Sequence, residues 1–355
     1  MAKRKPKFGT ACLAVQTLSA ITAGPECAAE YVGGLQTVAS HQFPHPGCND
    51  LPLAAFTPVT MPSRRHFLHT VLGTSAATAF AADAKLSSKG ENIQFGLVTY
   101  MWAADWDLPT LIKNCETAQV LAVELRIDHA HKVDISLTPE QRAAVRKQFE
   151  DSPVDLLGMG TNFEFHSPKP EELKKNLDGA KQYLKLCHDL GASGLKVKPN
   201  ALPKDVAVEK TLAQIGKALA ELGDYALGFG QEIRLEVHGK DSSELPHIKT
   251  IMDAADRDNV RVCWNSNDTD LIGAGLEANF ALVKERLGHT VHIRGVNQST
   301  YPLDQLAKLL VEADYEGHVC LEAHKLPPGD RVAALAEQRE LFMNMVTEAR
   351  KSVKD

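Results

Sequence analysis

The chain has 355 residues, 39 basic and 45 acidic, for a formal net charge of −6, and 44% of its residues are apolar. This balance excludes a collagenous, coiled-coil or broadly disordered chain and argues against a nucleic-acid partner bound by phosphate neutralisation. No apolar run reaches the roughly 18–20 residues that span a bilayer, and the seven Cys contain no CxxC pair, so neither a zinc ribbon nor a disulfide scaffold is indicated.

Residues 1–60 show no steady helical or strand period, and their only basic residues, Lys3, Arg4, Lys5 and Lys7, come at the start. Met61-Pro-Ser-Arg-Arg-His-Phe-Leu follows, then an uncharged stretch from His66 to Ala82 that ends in small residues. Paired arginines, a moderately apolar segment and a small-residue end make an export signal. The Ser-Arg-Arg-x-Phe-Leu core resembles the twin-arginine signal, which implies export of a folded protein to the periplasm by the twin-arginine machinery. The expected organisation is an upstream or disordered extension over 1–60, with Met61 as the true start, a signal peptide over 61–84 and one folded domain over 91–352. Residues 1–83 hold six basic and four acidic residues, so the remainder has a net charge of −8 and keeps only Cys115, Cys187, Cys263 and Cys320.

From residue 93 onward, β-rich runs alternate with helical patterns. The runs are 93–100, 121–127, 154–160, 194–198, 233–238, 260–265, 290–296 and 318–324. Pro139-Glu140-Gln141 opens one helix. Pro170-Glu171-Glu172 opens another that runs to about Leu190 and stops at Gly191, Leu212–Leu222 carries apolar residues three and four apart, and Val332–Val346 closes the chain. Strand then helix, repeated eight times in about 260 residues, predicts an α/β fold: a single (β/α)8 TIM barrel closed through right-handed crossovers. A doubly wound open sheet is the alternative, but neither GxGxxG nor GxxxxGK[ST] is present.

Side chains alternate faces along a strand, and six of the runs carry polar residues on one face. Glu124 and Arg126, Lys196 and Lys198, Arg234, Glu236 and His238, Asn265 and Asn267, His292 and Arg294, and Glu322 and His324 oppose Val, Leu and Ile. Barrel interiors are ordinarily filled with branched apolar side chains, and unpaired buried charges cost several kcal/mol each. These groups must therefore neutralise one another, hold a cation or line a substrate pocket, and barrel active sites lie at the C-terminal mouth. Glu236, His292 and Glu322 are oxygen and nitrogen donors suited to Mn, Mg, Co or Zn.

Leu235-Glu236-Val237-His238, Val291-His292-Ile293-Arg294 and Gly317-His318-Val319-Cys320-Leu321-Glu322 resemble, in order, motifs of the xylose isomerase-like TIM barrel family, the sugar phosphate isomerase/epimerase group. The resemblance covers about residues 93–350. It implies a divalent metal held by Glu236, Asn265, His292 and Glu322, with Glu236 and Glu322 as the catalytic carboxylates. One would remove a proton next to a carbonyl and the other return it. The second family element, Asp-x-x-His, reads Asn265-Ser266-Asn267-Asp268 here. Asn265 brings no charge, and either Asn267 or Asp268 stands close enough in sequence to share its role.

Substrate contacts are expected from His238, Arg294, Lys196, Lys198, Arg126 and, as an apolar wall over a sugar ring, Trp102 beside Tyr100 and Trp106. The expected activity is metal-dependent isomerisation or epimerisation of a sugar or keto-sugar derivative. The alternatives are a lyase or hydrolase on the same scaffold, an exported non-catalytic sugar-binding barrel, and an apurinic-endonuclease-like enzyme. The acidic charge and the missing Asp-x-x-His disfavour the last. The expected partner is a carbohydrate, with no nucleic acid and no stable membrane insertion. A homo-oligomer is left open.

Overall fold

The computed structural model describes residues 86–354. The expected extension over 1–60 and signal over 61–84 lie outside the described residues. The strands are β1 (Ile93–Val98), β2 (Ala122–Arg126), β3 (Asp155–Glu164), β4 (Gly194–Lys198), β5 (Glu232–Glu236), β6 (Val260–Cys263), β7 (Thr290–Ile293) and β8 (Gly317–Leu321). The α-helices are α1 (Leu108–Thr117), α2 (Pro139–Glu150), α3 (Pro170–Leu190), α4 (Val208–Leu227), α5 (Leu245–Ala255), α6 (Leu276–Ala281), α7 (Leu303–Glu312) and α8 (Arg331–Ser352).

Every strand pair is parallel, in the order β6-β5-β4-β3-β2-β1-β8-β7. Isolated bridges Val262↔Leu287 and Asn265↔His292 join the two ends. The result is a nearly closed (β/α)8 barrel, as the alternation predicts. Helix punctuation follows the sequence. Thr138 and Gln141 form a reciprocal capping box on α2, Pro170 occupies the first turn of α3, and Gly191 ends α3 in the left-handed conformation (φ 78°). The third strand runs four residues past the expected Gly160, because Glu164 pairs with Lys198 of β4 beyond an irregularity.

Outward residues of the strands, such as Leu97, Val123, Ile233, Leu235, Val291, Val319 and Leu321, pack against the helices in the main core. Inside the barrel the apolar filling is small: Val98, Ala122, Leu157 and Cys320. The N-terminal floor of the barrel is filled by one cation. Arg234 is fully buried, and its guanidinium donates to the Leu157 carbonyl, Ser193 Oγ and Glu232 Oε1 at 3.0, 2.6 and 2.6 Å. Gly158 and Gly194 make room for it, since a Cβ on either would press into backbone and guanidinium atoms.

Candidate functional site

The inward register brings three carboxylates and one imidazole together toward the C-terminal mouth. β2 supplies Glu124, β5 supplies Glu236, β7 supplies His292 and the end of β8 supplies Glu322. The backbone fixes them: His292 N–H donates to the Trp264 carbonyl at 2.7 Å, and Glu322 N–H donates to the Ile293 carbonyl at 2.8 Å. One ligand atom from each of Glu236, His292 and Glu322 lies within 4.8 Å of the other two.

His292 is fully buried between two carboxylates, with Nδ1 at 3.4 Å from Glu322 Oε2 and Nε2 at 3.3 Å from Glu124 Oε1. Neither ring nitrogen is hydrogen-bonded. Burial opposes charge on this imidazole, and neighbouring Cys263 together with the flanking Glu124 and Glu322 more than offsets it, raising its pKa. Glu124 was legible as an inward residue of β2, but its position behind the His292 ring was not. A carboxylate there fixes the ring's orientation.

Lys196 is the second buried cation of the barrel. Its ammonium donates to Glu236 Oε2 at 2.5 Å and to the Thr161 carbonyl at 3.2 Å. Asn265 Nδ2 donates to the other Glu236 oxygen at 2.9 Å. Burial alone would raise the Glu236 pKa, yet Lys196, His292 and Lys198 hold it far below the ordinary carboxylate range. Glu322 differs: it accepts no hydrogen bond from a described side chain, and its neighbours are His292 and, at 3.7 Å, Arg126 Nη1.

The other expected contacts divide. Lys198 stands 4.0 Å from Glu236, and Arg126 lies over the Tyr100 ring at 5.7 Å. His238 is half-buried with Nδ1 unpartnered, and burial lowers its pKa. Arg294 stands at the rim, 3.5 Å from Asp268. Asp268 has a side chain 85% exposed, and Asn267 donates to the backbone of Val237 and Asn265. Asn265 is therefore the residue of this segment that reaches the carboxylates. Trp102 is 1% exposed, sits in the hydrophobic core and donates its indole N–H to the Lys325 carbonyl. Tyr100, edge-on to His324, is the aromatic ring beside Arg126. Among the thiols, burial raises the pKa of both Cys263 and Cys320, so they remain neutral packing groups.

The donor set tests well against a divalent cation. Two carboxylates and an imidazole Nδ1 without a bonded partner converge from three strands, and Glu124 stands behind the imidazole. Among the described residues no helix is long and apolar enough to cross a membrane.

Against curated proteins the sequence finds no match. By structure the chain is similar to an L-ribulose 3-epimerase (TM-score 0.64, 14% identity, covering 73% of this chain and 96% of that one). It is also similar to a 3-keto-D-glucoside 4-epimerase from E. coli (0.60, 14%, 71% and 99%) and to an IOLI protein with a bound zinc atom (0.59, 15%, 74% and 99%). The family model for the xylose isomerase-like TIM barrel matches residues 112–344. The chain therefore belongs to the xylose isomerase-like TIM barrel family.

Proposed function

We propose that the barrel isomerises or epimerises a sugar or keto-sugar by moving a proton next to a carbonyl. The observation that carries this reading is the convergence of Glu236 and Glu322, from β5 and β8, on His292 at the barrel mouth. The named activities of the L-ribulose and 3-keto-D-glucoside epimerases agree with it. Glu236, His292 and Glu322 would hold a divalent cation, with Asn265 beside them. Such a cation would polarise the carbonyl and offset charge on the neighbouring oxygens. Glu322, which accepts no hydrogen bond from a described side chain, takes or returns the proton. Glu236, held ionised by Lys196 and Asn265, keeps the opposite side of the pocket negative. His238 and Lys198 are placed to hydrogen-bond hydroxyl or carbonyl oxygens.

The test is exchange of solvent deuterium into a panel of ketoses and oxidised sugars, together with metal analysis of the purified protein. Glu322→Gln is the cleaner variant and should abolish exchange while the fold is kept. Full exchange by Glu322→Gln would end the two-carboxylate mechanism. Glu236→Gln should also abolish exchange, but it leaves the buried Lys196 unpaired and lowers stability as well.

One observation favours a second reading, a sugar-binding barrel without catalysis. Both Glu236 oxygens already have donors in Lys196 and Asn265. Sugar binding with neither bound metal nor exchange would establish that reading. Export through the twin-arginine route is part of the proposal, and N-terminal sequencing of the secreted protein tests it: a mature end within residues 1–60 would remove it.

A further inference from the structure

The β2–β4 side of the mouth holds two positive groups, Lys198 and Arg126, that no described carboxylate meets at hydrogen-bond distance. Lys198 has a side chain only 13% exposed. No hydrogen bond joins its ammonium to a described residue, and its nearest carboxylate oxygen, on Glu236, is 4.0 Å away. Its neighbour across the ladder is Glu164, a ready salt-bridge partner, but Glu164 accepts from Asn200 instead. Arg126 is similar. Its Nη2 donates to Asn162 at 3.0 Å, its Nη1 stops 3.7 Å short of Glu322, and its buried Nε has no partner. Tyr100 holds the guanidinium from one face.

Between the two cations runs β3, and its residue level with Arg126 and Lys196 is Gly160. A Cβ there would come within 2.6 Å of Glu124 Oε1 and 2.9 Å of Arg126 Cδ. The missing side chain lets the Glu124 carboxylate and the Arg126 side chain pack against β3. In the strand order, β3 lies four strands from β7, across the barrel from His292.

The charges agree with this geometry. Lys196, Lys198 and Arg126 equal Glu124, Glu236 and Glu322 in number, and Arg294 has Asp268 as its neighbour. A divalent cation on Glu236, His292 and Glu322 would leave the pocket with excess positive charge, which a neutral sugar does not answer. Within a chain of net charge −6, under-bonded cations gathered at one wall point to an anionic ligand group.

We infer that the substrate carries a carboxylate, as in a uronic or keto-aldonic acid, and that Lys198 and Arg126 hold this group. The inference rests on the proton-transfer reading above for its reaction, but not for its binding. Calorimetry on the purified protein would compare D-glucuronate with D-glucose, D-galacturonate with D-galactose, and D-gluconate with D-glucitol. At least one acid should bind about tenfold or more tightly than its neutral counterpart, the difference a charge-assisted contact makes. Lys198→Gln and Arg126→Gln should each shrink that preference about tenfold. Should Arg126→Gln fail to fold, Lys198→Gln, whose ammonium hydrogen-bonds no described residue, decides alone.

No preference for the acid in any pair, absence of binding by every compound, or equal weakening of acid and neutral sugar in Lys198→Gln would overturn the inference. Deuterium exchange on the glucuronate and galacturonate pairs, whose members carry an aldehyde, separates the two proposals. Exchange into neutral sugars without acid preference sinks this one alone, whereas acid binding without any exchange sinks the proton-transfer reading alone.

Discussion

Asn265 presents an amide to Glu236 where the family motif has an acid, and its Nδ2 bonds one carboxylate oxygen at 2.9 Å. Replacing it with Asp exchanges that donor for a second negative charge beside the first. Asn265→Asp should therefore bind Mn or Zn about tenfold or more tightly, because ligand charge count tunes the affinity of oxygen-rich sites. The metal-free variant should melt below the parent, and its melting temperature should climb steeply with added metal. Calorimetric titration and thermal melts check this, and an unchanged affinity would show that Asn265 lies outside the coordination sphere. At this scale the sequence was legible wherever strand alternation alone decides direction: Glu124, Lys196, Glu236, His292 and Glu322 all face inward. It was illegible for Trp102, since the residues after β1 belong to a turn and no period says that Trp102 and Trp106 enter the core while Tyr100 does not. Pair distances such as Lys196 to Glu236 were equally hidden, because alternation gives a face but not a partner.

The segment after β6 shows how an element supports the site. Asp270, in the short 3-10 turn over Asp268–Leu271, accepts from the Asn267 N–H at 2.9 Å and the Tyr301 hydroxyl at 2.8 Å, both on Oδ2. Its Oδ1 is buried without a partner. Burial pushes the pKa of this carboxyl up to about 7 from its ordinary 3.8. Between those pH values the unfolded chain releases a proton that the folded chain keeps. Stability contributed here is thus complete below pH 3.8 and is lost as pH rises through about 7. Asp270→Asn retains an oxygen for both donors and removes the ionisation. The variant should melt above the parent at pH 8, with the difference shrinking toward pH 5; a pH-independent difference would contradict this. The motif reading stopped at residue 268, one turn short of the group that holds Asn267 in place, because a carboxyl in a turn gives no periodic signal.

Across the molecule, the eightfold alternation was legible because each strand and helix obeys a local rule: apolar period, capping residue, glycine stop. The barrel floor was not. Arg234 read as one more inward polar residue of β5, but its guanidinium turns toward the N-terminal ends of β3 and β4 and is spent on structure. Arg234→Met should lower the unfolding free energy by about 3–5 kcal/mol, since it strands the partners of a buried charged group. The three residues of the candidate metal site do not bond to it. Urea unfolding monitored by circular dichroism gives the first quantity and metal titration the second. A variant that loses metal affinity without losing stability would place Arg234 in the site after all.

The same guanidinium has a consequence for traffic. With its floor stoppered, the barrel is a blind well rather than a tunnel, and whatever enters past Lys198, Arg126 and His238 must leave by the same door. Reactant and product share one passage, so they exclude each other. Turnover should then show simple competitive inhibition by product at any concentration, with no route for a following molecule to push its predecessor out.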